Sequence, residues 1–204
     1  MRLRVLTLHF GGAPYLAISR ELNELYCRRH GLELVVASAI EDGRHPLWSK
    51  VQRVREALDD CDALLYIDGD AVFVDHERSP DVLVGRLAPN HAMLIGEDFT
   101  SGVANTGVWL LRNCSDGHAI LRDWSLAPAV DPSLAFRWPV DEAGFNEKVL
   151  PRHRAAIGIV SRSELDFVKG DFIRHYMAEP ARAKTIRLER ERKRLSSRNG
   201  WSNR

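Results

Sequence analysis

The sequence is short of cysteine, of long apolar runs and of net charge, and each shortage removes a class of protein. Its three cysteines, Cys27, Cys61 and Cys114, are odd in number and have neither Cys-x-x-Cys spacing nor the density of a disulfide-stapled domain. Nothing therefore calls for an oxidising compartment, and buried thiols are expected. No stretch approaches the ~18 consecutive apolar residues of a membrane-spanning helix. The short apolar segment at residues 1–12 has no small-residue cleavage site behind it, so a cytoplasmic protein is expected. No internal repeat marks a solenoid or propeller. The formal net charge is +1, and no nucleic-acid partner is expected.

The small net charge hides an asymmetry. From Pro180 onward there are nine Arg or Lys against two Glu, a net of +7, which leaves −6 on the rest of the chain. An acidic body with a basic tail points to an anionic surface or polyanionic acceptor, to contact with the body itself, or to a solvated helix running into disorder. The 204 residues, 45% hydrophobic and 28% charged, suit one globular domain. The expected division is a single catalytic-type domain over 1–179 and a basic C-terminal tail over 180–204, with few apolar anchors to tie the tail down.

Periodicity predicts the elements. An apolar strand over 3–10 stops at Gly11-Gly12, and Pro14 opens a helix with Tyr15, Ile18, Leu22 and Leu25 at helical spacing. That helix ends in Arg28-Arg29-His30 before Gly31. A strand over 32–37 follows, then a helix on which Leu47, Val51, Val54 and Leu58 share one face. The continuous apolar run 63–67 reads as a strand buried on both sides. The first seventy residues are thus β-α-β-α-β, which implies an α/β fold with a mostly parallel sheet. Its ligand crevice should lie at the carboxyl ends of the strands, beside the Gly11-Gly12 loop and Asp68. Further strands are expected at 91–96 and 107–112, helices from Ser79 and over 115–124, a proline-rich loop over 125–139, and a short helix over 141–149.

The segment Tyr66-Ile-Asp68-Gly-Asp70-Ala places two carboxylates at the end of a buried strand, where both can reach one cation. Hard divalent ions such as Mg²⁺ or Mn²⁺ suit carboxylate ligands, and such an ion can neutralise a departing diphosphate. Gly69 would let phosphates approach the backbone. The competing reading is a hairpin with Asp68-Gly69 as its turn.

Four motifs occur in series. They are Trp48-Ser-Lys50, the Asp68-Gly-Asp70 segment, Asn105-Thr-Gly107-Val-Trp-Leu-Leu-Arg112-Asn, and Gly170-Asp171-Phe-Ile-Arg-His175. Together, over roughly residues 3–178, they resemble the fungal galactosyl/mannosyltransferase and plant xyloglucan xylosyltransferase family. The resemblance implies a GT-A nucleotide-sugar fold and metal-dependent transfer from a UDP- or GDP-sugar to a hydroxyl acceptor, with retention of configuration. It assigns Asp68 and Asp70 to the metal and donor and His175 to completing the metal site. A histidine beside two carboxylates favours Mn²⁺ over Mg²⁺. Lys50 matches the family's Trp-x-Lys lysine, a candidate donor contact or else a lysine on the polar helix face. Asn105 matches a donor-binding Asn-Ser-Gly start of an inner strand, with Thr106 in place of serine.

Asp141 and Glu142 stand where the family has Asp-Gln, as candidate catalytic residues near the sugar, although the extra carboxylate is a departure. His9 and Phe10, at the end of the first strand, are candidates for contact with the nucleotide base or for core packing. Glu97 and Asp98 face either the crevice or solvent. The chain's size implies a small or locally presented acceptor and no membrane anchor. Two other classes share some of these features: a haloacid-dehalogenase-type phosphohydrolase, whose paired aspartates should follow the first strand rather than the third, and a non-catalytic nucleotide-sugar-binding module.

Overall fold

The computed structural model describes residues 1–98, 103–161 and 170–199. The expected alternation opens the chain: β1 (Leu3–His9), α1 (Pro14–Arg29), β2 (Glu33–Ser38), α2 (Ser49–Leu58) and β3 (Ala63–Asp68). Pro14 sits in the first turn of α1, and Arg28 and Arg29 in its last turn complement the carbonyl end. Then come β4 (Ala71–Phe73), the one-turn α3 (Asp81–Val84), β5 (Met93–Glu97), β6 (Ala104–Arg112) and α4 (Ser115–Val130). They are followed by α5 (Asp141–Gly144), α6 (Leu150–His153), β7 (Ile157–Val160), β8 (Ile173–His175) and α7 (Ala181–Asn199).

Six strands form one sheet in the order β2-β1-β3-β6-β5-β7. β1 pairs in parallel with β2 and β3, and β5 with β7, while β6 runs antiparallel to both β3 and β5. The reversed β6 brings its amino end, Ala104 to Thr106, to the edge where β3 and β5 end. The two faces of β3 explain its unbroken apolar run: Leu64 and Tyr66 join one core with Trp48, Trp109 and Trp124, and Leu65 and Ile67 join the other with Tyr26 and Phe73.

Asp68-Gly69 does not close a hairpin of β3 with β4. β4 leaves the main sheet and pairs antiparallel with β8, so that Ala71 lies opposite His175 and Phe73 opposite Ile173. A stretch more than a hundred residues downstream thereby comes to the end of β3.

Two expectations fail for physical reasons. The loop expected over 125–139 is helical in its first half, since α4 runs to Val130 with Pro128 inside it. Ile120, Leu121, Trp124, Ala127 and Pro128 are all buried at helical spacing, and that packing outweighs the loss of one backbone donor. The segment after Pro180 is not loosely attached either. Leu188 and Leu195 of α7 pack with Ile18, Leu22, Val72 and Tyr176. The buried Glu191 pairs with Arg174, and Arg194 donates to the Val74 carbonyl. Arg182, Arg187, Arg190 and Lys193 lie on the outside of the helix, while its inner stripe combines Leu188 and Leu195 with the paired charges of Lys184 and Glu191. Among the described residues, no helix is long and apolar enough to cross a membrane.

Candidate active site

A cavity of about 550 Å³ opens where β3 ends and β6 begins, within the size range of small-molecule sites. Asp68 is the last residue of β3, opposite Leu8 of β1. Asp70 follows the turn, and the Tyr176 N–H donates to its carbonyl at 3.1 Å. That bond and the β4–β8 register fix His175 beside the pair: its Nε2 lies 3.1 Å from Asp70 Oδ1 and 3.7 Å from Asp68 Oδ2. The three side chains offer ligand atoms all within 4.8 Å of one another. Two carboxylates and an imidazole so grouped are a chemically suitable donor set for Mn²⁺, or with less nitrogen preference Mg²⁺.

Gly107 makes this convergence possible. A Cβ there would lie 2.2 Å from His175 Cε1, so any side chain at position 107 would expel the imidazole. Gly69 lines the cavity and has a packing role besides the one expected. Its missing Cβ would meet Leu16 at 2.8 Å and the Leu8 carbonyl oxygen at 2.9 Å, and its own carbonyl accepts from Ser19 at 2.6 Å. The protein itself, through α1 and β1, takes up the room that the glycine leaves.

The site holds two cations. Lys184 of α7, absent from the sequence reading, forms an ion pair with Asp70 Oδ2 and lies over the Tyr15 ring. Burial would raise the Asp70 carboxyl, but His175 and Lys184 outweigh it and hold the group well below the usual range. Lys50 is not a surface lysine. It is 1% exposed and bridges Asp68 Oδ1 at 3.2 Å and Asp141 Oδ2 at 3.1 Å, with the Thr106 carbonyl at 3.3 Å. Burial opposes its charge, yet Asp141 and Asp68 overcome that and raise it. The Tyr66 hydroxyl donates to Asp68 Oδ1 at 2.7 Å, completing that carboxylate's surroundings.

Asp141 and Glu142 enter from α5 and are held by the start of β6. Thr106 Oγ1 donates to Asp141 Oδ2 at 3.0 Å, while Asn105 Nδ2 and the Thr106 N–H donate to Glu142 Oε2 at 3.0 and 3.2 Å. Burial, with the nearby Asp68, lifts Asp141 to about 6 against the pull of Lys50. Burial lifts Glu142 to about 7, with Asp98 adding to the shift and the Thr106 N–H opposing it. Near neutrality Glu142 is therefore partly an uncharged acid, close in shape and charge to the glutamine that the resemblance leads one to expect. The departure is smaller than the sequence suggests.

Phe10, Lys50, Asp68, Asp70, Asn105, Asp141, Glu142 and His175 all line the cavity, and so does Asp98. His9 and Glu97 are not among the lining residues. The alternation of β1 turns His9 away, toward Gly69 and Arg20, where burial and that arginine lower its pKa. Other lining residues missed by sequence reasoning include Tyr15, His45, Met177 and Trp138. A lone tryptophan in a proline-rich stretch carries no periodic signal.

No protein-family model matches the chain. It is 31% identical over 125 residues to a probable glycosyltransferase 6 of Oryza sativa subsp. indica and 26% identical over 137 residues to glycosyltransferase 6 of Arabidopsis thaliana. The matches cover 55% and 62% of this chain but only 25% and 31% of those proteins, so the chain spans about a quarter to a third of the curated relatives. Among solved structures, a glycosyltransferase involved in glycosylation of the major capsid of PBCV-1 superimposes with a TM-score of 0.78 at 17% identity, over 93% of this chain and 100% of that one. Mouse xyloside xylosyltransferase 1 does so with a TM-score of 0.56 at 9% identity, over 87% and 98%. The fold is that of the GT-A glycosyltransferases.

Proposed function

We propose that the chain is a metal-dependent glycosyltransferase that moves a hexosyl or pentosyl unit from a UDP- or GDP-sugar to a hydroxyl acceptor with retention of configuration. The observation that carries this reading is the meeting of Asp68, Asp70 and His175 beside Lys184, in a cavity at the strand ends of a GT-A fold. The names of the plant relatives support it.

In this reading Asp68, Asp70 and His175 hold Mn²⁺, or Mg²⁺, which when bound neutralises charge on the diphosphate leaving group. Lys184, already on Asp70, meets the same phosphates. Phe10 lies toward the base. Asn105, Asp141 and Glu142 face the transferred sugar, and Lys50 fixes Asp68 and Asp141 relative to each other rather than touching the donor. The bond from the anomeric carbon to the terminal phosphate oxygen breaks, and its electron pair leaves on the nucleoside diphosphate. The acceptor oxygen bonds the anomeric carbon and its proton is released.

Incubating the chain with UDP- and GDP-sugars, with Mn²⁺ or with chelator, tests the proposal. Release of nucleoside diphosphate that needs the metal and is lost in Asp70→Ala is expected. Nucleotide binding without turnover would instead support a binding module, and hydrolysis of simple phosphate esters would support the phosphohydrolase.

A further inference from the structure

Trp138 is 78% exposed although it lines the cavity, and its neighbours on either side are pinned. Arg137 donates to both Glu147 carboxylate oxygens at 2.7 Å, and the Val140 N–H donates to the Arg137 carbonyl at 2.7 Å. Val140 is buried and adopts φ of 63°, a conformation costly for a β-branched residue and held only because its side chain is locked into the core. The indole is thus presented to solvent by a rigid support, three residues before Asp141.

The contacts give an order along the site. Lys184 touches Asp70, His175 touches Asp70 and Asp68, and Lys50 joins Asp68 to Asp141. Tyr15, under Lys184, belongs to one end of this series, and the segment that carries Trp138 runs directly into Asp141 at the other. With a diphosphate at the aspartate pair and a sugar at Asp141, the indole falls past the sugar. A second feature lies in the same cavity: Asp98 lines it and acts electrostatically on Glu142, and its Oδ1 is buried without a hydrogen-bond partner among the described residues. A buried carboxylate oxygen left unpaired is costly, and a ligand hydroxyl would satisfy it.

Resting on the transferase reading above, we propose that Trp138 is the acceptor platform and that the acceptor is a neutral saccharide. One pyranose ring stacks its C–H face on the indole and donates a hydroxyl to Asp98 Oδ1. An apolar ring face with hydroxyls at its edge matches an exposed aromatic and an unpaired acceptor in one cavity. The Asp98 carboxylate, with the ionised fraction of Glu142, disfavours uronates and sugar phosphates.

The test uses the full chain with Mn²⁺. Its probes are lactose, cellobiose, maltose and xylobiose, then glucuronic acid, mannose 6-phosphate and a serine-containing peptide. Binding is followed by isothermal titration calorimetry, and transfer from UDP- and GDP-sugars by mass spectrometry. At least one neutral disaccharide should bind saturably and accept sugar. Trp138→Ala should weaken that binding and raise the acceptor KM about tenfold. It should leave affinity for UDP or GDP with Mn²⁺ within about twofold, and Trp138→Phe should restore part of the loss. Asp98→Asn should raise acceptor KM without altering nucleotide affinity.

Unchanged acceptor KM in Trp138→Ala would overturn the proposal. So would an equal loss of nucleotide affinity, which would put the base on the indole. Transfer only to the peptide or to the anionic sugars, or no disaccharide binding at any accessible concentration, would also overturn it. Failure of the wild-type chain to bind any nucleoside diphosphate would overturn the transferase reading itself, and this proposal with it.

Discussion

Replacing Glu142 with glutamine should stabilise the protein, and only at high pH. Its Oε2 accepts from Asn105 Nδ2 and from the Thr106 N–H, and a glutamine carbonyl oxygen can accept both. What the substitution removes is a carboxylate whose folded pKa stands at about 7 against an ordinary value of 4.5. Between those values the folded state keeps a proton that the unfolded state has lost, so wild-type stability falls as pH rises through this window. The favourable contribution is fully present below about 4.5 and gone above about 7. A shift of that size corresponds to an upper bound of about 3.4 kcal/mol. Partial solvent access to the group reduces this to roughly 1–2 kcal/mol. For a domain of this size that is a rise in Tm of roughly 2–8 °C. Thermal melts of both proteins in chelator, at intervals from pH 4.5 to pH 8.5, should give coincident Tm values at the acid end and curves that diverge through neutrality. A constant offset, or a glutamine variant less stable at pH 8, would show that burial does not penalise this carboxylate.

Gly107→Ala should cost at least about tenfold in Mn²⁺ affinity by displacing His175, read by calorimetry with UDP present; unchanged affinity would remove the histidine from the metal site. Leu188→Ala should destabilise by about 2–4 kcal/mol, a fall in Tm of roughly 4–16 °C, because this side chain is wholly buried under α7; a negligible change would restore the loosely attached tail. Lys50→Met should cost about 3–5 kcal/mol at pH 8 and less at pH 5, where Asp141, lifted to about 6, takes up a proton; chemical denaturation at the two pH values should show the difference.

The chain's order of elements and its metal candidates are legible in the sequence because they depend on local signals. The apolar runs of β1 and β3, the Val51-Val54-Leu58 face and the Asp68-Gly-Asp70 step all carry their periodicity within a few residues. The helical face of α4 was legible too, in Ile120, Leu121, Trp124 and Ala127, but three prolines in the same region masked it. Nothing local states that β4 pairs with β8, yet that register carries His175 to Asp70. Lys50 falls off the apolar stripe of its helix, and only the packing of α2 against the sheet shows that the stripe's flank is also covered and that the ammonium ends between two carboxylates. Lys184 reads as one more charge in a basic tail until Leu188 and Leu195 seat α7 on the body and fix which cation reaches the cavity. Sequence determines what a side chain can do chemically, and pairings between distant segments decide which of those side chains meet, because burial and Coulomb energy depend on distances that the chain's order does not contain.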